Sequence, residues 1–273
     1  MADGIAVVIP AWNLGDVLRQ AVTSVMSQEI EVRLIVVDNA SEEPLPPLPE
    51  AEVIRLPERV SVGQARNVGL AHVVDEEFVM FMEGDDVLLP GALEFLHRII
   101  AGRAEVVIVA GSFLVWNPDS GTRVSANWPF DYCYRLSRYP RCFALVNCLR
   151  NVMPTTGPAL MRADAARAAG GFGDSNWAED WALGAVLAFC GVPVLKREVC
   201  GLYRVDADRT TLSDLKEQRR LRPSWEGRRY VRRKLMKTSV IPWYVRLASP
   251  LLAPIHAYFV MSDLRKGRQR ADN

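Results

Sequence analysis

Several features that mark common classes of protein are missing or scarce in this chain of 273 residues. Its five cysteines (133, 142, 148, 190 and 200) include no Cys-x-x-Cys pair, which argues against a zinc site or a disulfide framework and favours reduced thiols. No Gly-x-Gly-x-x-Gly follows the first apolar run, which argues against an NAD-dependent dehydrogenase, and the glycine-rich basic loop of many nucleotidyltransferases is missing there too. We assign no role to the three histidines, His72, His97 and His256.

A strong charge of either sign is also missing, since the net charge is +1. This balance argues against a dedicated nucleic-acid-binding protein. It conceals an uneven distribution, because residues 214–273 carry 15 Lys and Arg against 5 Asp and Glu, whereas residues 1–213 carry 18 against 27. An acidic body therefore precedes a basic tail, and a basic tail is attracted to an anionic surface, either phospholipid or nucleic acid.

The first 110 residues alternate apolar runs with segments of helical spacing. The chain starts without the basic and long apolar stretches of a secretory signal, so we expect a cytoplasmic protein. Ile5–Pro10 (IAVVIP) is typical of a strand buried on both faces, and Asn13 is expected to cap the helix that follows. This alternation predicts an α/β fold with a mostly parallel central sheet flanked by helices.

Polar residues follow three of the predicted strands. Ligands of parallel sheets bind at the carboxyl ends of the strands, so we expect a binding site at that edge. The residues at these ends are Trp12, Asn13, Asp38, Glu83, Asp85 and Asp86.

The segment Phe81–Asp86 (FMEGDD) has three carboxylates within four positions after an apolar strand. Like charges so close repel, and a divalent cation shared with substrate phosphates would compensate them, as is usual for Mg²⁺ or Mn²⁺. A solvated acidic turn before the helix that follows Pro90 explains the same residues equally well.

Each of the other candidate residues has a functional and a structural interpretation. Asp38 can accept a hydrogen bond from a nucleotide base or form an Asx turn. Trp12 can stack on a base or pack in the core. Arg66 can point to a phosphate or the acidic cluster, or lie exposed on its helix. Glu179 and Asp180 begin a predicted helix, where a carboxylate can act as a general base or merely complement the helix dipole.

Six short segments occur in a characteristic order between residues 5 and 213. They are VVIPAWN, VVDNAS, SVGQARNVGL, FMEGDD with a following proline, GGF and AEDW. In this order and spacing the chain resembles family 2 glycosyltransferases. The resemblance implies a GT-A fold and an inverting transfer that uses a nucleotide-diphosphate sugar and Mn²⁺ or Mg²⁺.

The resemblance also implies a role for each matching position. Asp85 would be the metal ligand, with Glu83 in the other acidic place of the DxD motif. Asp180 would be the catalytic base, with Glu179 and Trp181 beside it on the acceptor side or in support. The donor would be bound by Pro10, Ala11, Trp12, Asn13, Asp38, Arg66, Glu83, Asp85 and Asp86.

Three segments depart from the family pattern. The common Thr-Tyr-Asn start is Ala11-Trp12-Asn13 here, and the first acid of the DxD motif is Glu83. Many relatives carry Tyr-Arg-x-His late in the domain, where this chain has Tyr203-Arg204-Val205-Asp206. These changes leave room for a catalytically silent nucleotide-sugar-binding or scaffold protein with the same fold.

Three regions are expected along the chain. Residues 1–110 would form the nucleotide-sugar-binding half, residues 111–213 the acceptor-binding and catalytic-base half, and residues 214–273 a basic helical tail. Ser239–Met261 in this tail is about as long as a membrane-spanning helix, but Arg246 and three prolines argue against a span. We expect either peripheral contact with the inner face of the cell membrane or packing on the body.

The expected partners follow from this interpretation. A UDP-sugar is the favoured donor, because Asp38 and Trp12 suit uracil, with thymine and guanine as the alternative bases. The acceptor would be a saccharide or a lipid-linked saccharide. Asp180 would take the proton of the acceptor hydroxyl while that oxygen attacks the anomeric carbon.

Overall fold

The structure is a computed structural model that describes residues 4–125, 130–205 and 221–258. Its described strands form one sheet in the order β3-β2-β1-β4-β8-β6-β9-β5, with β7 paired to β6. The strands are β1 Ile5–Ala11, β2 Val32–Asp38, β3 Glu52–Arg55, β4 Phe78–Phe81, β5 Val87–Leu88, β6 Val106–Trp116, β7 Arg123–Ser125, β8 Ala159–Arg162 and β9 Val192–Arg204. Strands β1 to β4 are parallel, as are β6 and β9, whereas β8 runs antiparallel between them. The predicted α/β fold with a mostly parallel central sheet is confirmed.

Helices cover both faces of this sheet. They are α1 Asp16–Met26, α2 Val62–His72, α3 Ala92–Ile100, α4 Phe130–Leu136, α5 Pro140–Leu149, α6 Ala163–Ala168, α7 Glu179–Leu187, α8 Leu221–Lys237 and α9 Trp243–Ala248. A 3-10 turn, Ser249–Leu251, and a helical stretch at 252–258 follow α9. One apolar layer contains α1 and α3, and the other contains α2, α5, α6, α7 and α8.

The alternation of side chains along β1 explains its uninterrupted apolar sequence. Ile5, Val7 and Ile9 pack in the layer of α1 and α3, whereas Ala6 and Val8 pack in the layer of α2 and α7. A strand whose two faces are both covered needs apolar residues at every position. Burial of each larger side chain contributes about 1.5–3 kcal/mol, so β1 anchors the fold at its centre.

The expected N-cap at Asn13 is wrong. Helix α1 begins at Asp16, and no side chain caps it. Asn13 has a φ of 52°, and its Oδ1 accepts a hydrogen bond from the backbone N–H of Glu42 at 2.9 Å. Asparagine tolerates this left-handed conformation, and here it joins the loop after β1 to the loop after β2.

The described part of the tail packs on the body. Helix α8 lies against α7, and the buried side chains of Val231, Leu235, Ile241 and Val245 join the larger apolar layer. Within the described ranges, we find no helix with the length and apolar character that crossing a bilayer requires. The part of the tail that the structure describes is thus packed on the helix that begins with Glu179 and Asp180.

Candidate functional site

The carboxyl ends of β1, β2 and β4 meet at one edge of the sheet. Ala11 is the register partner of Asp38, and the N–H of Asn39 donates to the carbonyl of Ala11 at 2.8 Å. The loop after β4 approaches the same edge at Gly84, where a Cβ atom would lie 3.3 Å from the carbonyl oxygen of Pro10. A side chain at this position would be crowded by the backbone of β1, which favours glycine. The polar residues after the three strands are therefore gathered as the topology predicts.

Asp38 is buried and held by two partners. Its Oδ1 accepts the N–H of Ser41 at 2.9 Å, which is a local turn of the kind expected for this residue. Its Oδ2 accepts Nη1 of Arg55, also at 2.9 Å. Sequence reasoning missed Arg55, which is half-exposed and adds a cation next to the carboxylate proposed for a nucleotide base.

Trp12 lies at the surface rather than in the core, with 37% of the residue exposed. The guanidinium carbon of Arg59 lies 3.4 Å from the centroid of its ring, which is a close cation–π contact. Arg59 was not predicted, because nothing in its sequence neighbourhood distinguishes it from other exposed arginines. The indole therefore offers a flat surface, and the planar guanidinium of Arg59 packs against it.

The three carboxylates of the FMEGDD segment differ in their surroundings. Glu83 is paired with Arg66, and Asp86 is buried, with its Oδ1 accepting the N–H of Arg204 at 3.1 Å. Burial raises the pKa of Asp86 well above its ordinary value, and the nearby charges of Asp85 and Glu83 raise it further. Asp85 is half-buried, and its backbone carbonyl accepts Nε of Arg204 at 3.0 Å. The acidic segment is thus a structured turn.

Arg66 is buried, with only 2% of the residue exposed. Its Nη1 donates to Oε1 of Glu179 at 2.9 Å, and its Nη2 donates to Glu83. The helix that carries it begins with a capping box between Ser61 and Gln64. The exposed-cation interpretation of Arg66 is excluded by this burial, whereas a phosphate contact stays a prediction.

Close packing brings helix α2 to the chain before α7. A Cβ atom at Gly63 would lie 2.8 Å from the carbonyl oxygen of Gly173 and 3.4 Å from Cβ of Glu179. Only glycine fits such a separation without movement of the backbone. This contact positions Arg66, one helical turn further on, to reach Glu179.

The first turn of α7 holds the predicted base. Asp180 is half-buried, and its Oδ2 accepts Nδ2 of Asn151 at 3.2 Å. Thr155 donates from Oγ1 to the backbone carbonyl of Asp180 at 2.9 Å. Asn151 and Thr155 were missed, since neither belongs to any of the six segments that resemble the family. The two contacts orient both the carboxylate and the backbone of Asp180.

Glu179 and Trp181 flank this residue in different environments. Burial raises the pKa of Glu179, the charge of Asp180 adds to the rise, and Arg66 opposes it. Trp181 is buried, and its Nε1 donates to the backbone carbonyl of Asn147. Trp181 therefore contributes to the packing of α7 and offers little surface to an acceptor.

Arg204 is a further residue of this edge that sequence reasoning missed. It is buried at the end of β9, where its guanidinium donates to Gln20 as well as to the carbonyl of Asp85. Its guanidinium carbon also lies 4.6 Å from the ring centroid of Trp116. The Tyr203-Arg204 dipeptide was the available signal, and Asp206 lies outside the described residues.

The donor set at this edge fits a hard divalent cation. In the ranges that the structure describes, no three His, Cys, Asp or Glu side chains converge as a ready-made metal cluster. Mg²⁺ and Mn²⁺ are commonly held by one or two carboxylates together with substrate phosphates. Asp85, with Glu83 held nearby by Arg66, supplies carboxylates of this kind.

An apolar groove of about 470 Å³ lies elsewhere, on the outer side of α2. None of the predicted site residues lines it. Its lining residues are Leu56, Pro57, Glu58, Val60, Gln64, Asn67, Val68 and Ala71.

The fold is similar to that of solved glycosyltransferases. TarS residues 1–349 from S. aureus aligns with a TM-score of 0.62 and 13% identity, over 93% of this chain and 70% of that one. The same TarS fragment solved with UDP-GlcNAc aligns with a TM-score of 0.60 and 12% identity, over 92% of this chain and 70% of that one. The mannosyltransferase PcManGT from Pyrobaculum calidifontis, solved with GDP-Man and Mn²⁺, aligns with a TM-score of 0.60 and 18% identity, over 98% and 80%. These structures share the GT-A fold with this chain.

Two sequence comparisons add to this likeness. The uncharacterized protein MT1568 of Mycobacterium tuberculosis (strain CDC 1551 / Oshkosh) is 32% identical over 101 residues, which span 34% of this chain and 31% of that protein. The sequence profile described as Glycosyl transferase family 2 matches residues 6–162, more than half of the chain. This protein belongs to glycosyl transferase family 2.

Proposed function

We propose that this protein transfers a sugar from a nucleotide-diphosphate sugar to an acceptor hydroxyl and inverts the anomeric centre. One observation carries the proposal: Arg66 contacts both Glu83, in the acidic segment after β4, and Glu179, beside Asp180. The segment that would hold the diphosphate and the helix that would supply the base therefore lie next to each other. Such an arrangement suits a single displacement between a bound donor and a bound acceptor.

Asp180 is the proposed catalytic base. Asn151 holds its Oδ2, and we assign Oδ1 to the acceptor. As the acceptor oxygen forms its bond to the anomeric carbon, its proton passes to Asp180, and the bond to the diphosphate breaks on the opposite face. General-base assistance of this kind contributes about 10²–10⁴-fold in rate.

Mn²⁺ or Mg²⁺ is the proposed cofactor, with Asp85 as its protein ligand. Such an ion, when bound, stabilises the negative charge of the departing diphosphate. Glu83, in the same acidic segment, is held in place by its ion pair with Arg66. The presence of Mn²⁺ with GDP-Man in the structure of PcManGT supports this choice.

The donor would lie along the ends of β1 and β2, in contact with Pro10, Ala11 and Asn13. Its base would stack on Trp12, while Asp38 accepts a base N–H and Arg55 donates to an adjacent carbonyl. Uracil presents such a neighbouring N–H and carbonyl, which favours a UDP-sugar. TarS was solved with UDP-GlcNAc, which agrees with this choice.

The acceptor would be a saccharide or a lipid-linked saccharide, bound by the half of the domain that begins near residue 111. A lipid-linked acceptor suits a cytoplasmic enzyme that is peripheral on the inner face of the membrane. The tail from residue 214 would make that contact, because its charge is strongly positive.

A thermal-shift screen of UDP-, GDP- and dTDP-sugars with and without Mn²⁺ tests the donor assignment, since a ligand of the native state raises its apparent stability. We expect a UDP-sugar to give the largest shift, and only with the metal. Hydrolysis of the stabilising donor then separates an enzyme from a silent binding protein. Binding without any release of UDP would favour the silent alternative, and no shift with any donor would overturn both.

A further inference from the structure

An exposed row of apolar side chains runs along the end of the described chain. Trp243, Tyr244, Leu247, Leu251 and Ile255 are exposed by 71%, 58%, 71%, 71% and 42%. They recur at about one helical turn through α9, the 3-10 turn and the helical stretch at 252–258. We call these five residues the apolar row.

The other side of the same segment is fixed to the protein body. Val245 lies in the core, and Ser249 is buried with its Oγ donating to the carbonyl of Val245. His256 is fully buried between Arg232, 2.9 Å from its Nδ1, and the carbonyl of Cys148, 3.0 Å from its Nε2. Since these contacts hold the segment in place, the apolar row cannot turn inward without breaking them.

Exposure of such a row of apolar side chains to water is unfavourable in free energy. Single exposed apolar residues are normal on protein surfaces, but a contiguous set that includes Trp and Tyr marks a surface that contacts another phase or molecule. Aromatic side chains that have one apolar and one polar end are enriched at the interface between lipid and water.

Positive charge lies within this row and on helix α8, which packs against α9. Arg229, Arg233 and Lys237 are exposed at four-residue intervals on α8. Arg246, between the apolar side chains, is also exposed, and its Nε donates to the carbonyl of Met236 near the end of α8. The sequence beyond the described residues adds four basic residues against two acidic ones between 259 and 273. Basic side chains beside an apolar face are typical of segments that lie in the surface of an anionic bilayer.

The geometry points to an anionic phospholipid surface as the partner of the apolar row. Trp243, Leu247 and Leu251 would enter the boundary between headgroups and acyl chains, while Arg233, Lys237 and Arg246 pair with phosphate groups. These six residues define the surface that would contact the membrane. This contact does not depend on whether the chain transfers sugar.

The same segment contacts the helix that carries the proposed base. The ring centroids of His256 and Trp181 lie 5.7 Å apart, and Trp181 directly follows Asp180. If the proposed function is right, an acceptor anchored in the bilayer would therefore reach the protein on the side where the tail packs against α7.

Flotation of the full chain with vesicles tests this inference. We expect the protein to float with phosphatidylcholine vesicles that contain 30% phosphatidylglycerol, to float much less with pure phosphatidylcholine, and to be released by 0.5 M NaCl. Substitution of Trp243, Leu247 and Leu251 by serine should lower the bound fraction about tenfold or more, because their burial drives insertion. The pair Arg233→Glu and Lys237→Glu should lower it comparably.

Matched variants separate this effect from general changes of surface. Val74→Ser with Tyr139→Ser removes exposed apolar side chains away from the tail, and Arg98→Glu with Arg103→Glu reverses two charges beside α3 in the other layer. Both should float like the parent. Thermal melting and donor binding of each variant check that the fold is intact.

Three results would overturn the inference. The first is a parent chain that stays unbound to anionic vesicles, and the second is a serine variant that floats as well as the parent. In the third, the serine substitutions would turn a dimer into a monomer in sedimentation experiments while lipid binding is absent, which would assign the apolar row to a second copy of the chain.

Discussion

Arg66 and Glu179 are 113 positions apart in sequence, yet Nη1 of Arg66 donates to Oε1 of Glu179 at 2.9 Å, and both side chains are buried. The second arm of the same guanidinium reaches Glu83. Buried charges are tolerated only when they are paired, so one cation joins the acidic segment to the helix of the proposed base.

Replacement of Arg66 by methionine should be strongly destabilising. The variant leaves Glu83 and Glu179 without their cation, and loss of one partner of a buried pair costs about 3–5 kcal/mol. Arg33→Met is the matched control, because Arg33 also pairs with two carboxylates, Glu52 and Glu76, but its side chain is 37% exposed. We expect the control to lose less than about 1 kcal/mol. Urea unfolding measures both, and equal losses would contradict the role of burial.

Trp12→Ala should weaken binding of UDP. Stacking of a base on an aromatic ring contributes about 1–3 kcal/mol, which corresponds to about 5- to 150-fold in Kd. Trp12→Tyr keeps a ring at this position and should bind within about threefold of the parent. Titration calorimetry with UDP and Mn²⁺ distinguishes the two, and equal binding by the alanine variant would remove Trp12 from the donor site.

Asp85→Asn should abolish the effect of Mn²⁺ on donor binding. We expect UDP-sugar affinity in Mn²⁺ to fall about tenfold or more, towards the value without metal, because the ion loses its protein carboxylate. Asp75→Asn is the control, since Asp75 precedes β4 whereas Asp85 follows it, at the opposite end of that strand. A metal response in Asp85→Asn that equals the parent's would show that the ion binds elsewhere.

Acid should loosen the attachment of the tail through His256. Burial lowers the pKa of this histidine to about 4, and the charges of Arg228 and Arg232 act in the same direction. The unfolded chain takes up a proton near pH 6.5 and the folded chain only near 4, so the free energy of unfolding is highest above pH 6.5 and falls as the pH drops between these values.

This loss should be on the order of 2 kcal/mol. In His256→Gln the pH dependence between 6.5 and 4 should flatten, as chemical denaturation at a series of pH values would measure. If the slope is the same in both proteins, other groups account for it.

Local patterns predicted several of the elements and the edge of the sheet where polar residues gather. The apolar run of β1 is readable because both of its faces are covered, and the polar residues after β1, β2 and β4 mark the ends of parallel strands. The apolar run that marks the start of β6 ends before Gly111, whereas the strand itself continues to Trp116. Its outer half is stabilised by pairing with β7 and β9, which are distant in sequence.

The partners of the site residues were not predictable in this way. Arg204 reaches the carbonyl of Asp85 across 119 positions, and Arg59 lies over Trp12 although nothing in the sequence around Arg59 distinguishes it from other exposed arginines. Pairing of charges between elements depends on the tertiary fold rather than on periodicity. Asn13 shows the same limit, because contacts with the loop after β2 outweigh its preference for a helix cap.

Measurement of both donor binding and donor turnover in Asp180→Asn tests the proposed roles of Asp85 and Asp180 together. The amide can still accept a hydrogen bond from Asn151, so the fold and the Kd for a UDP-sugar with Mn²⁺ should stay within about twofold of the parent. Release of UDP should fall by about 10²–10⁴-fold, because the amide cannot take a proton. Turnover at the parent rate would contradict the account at its centre.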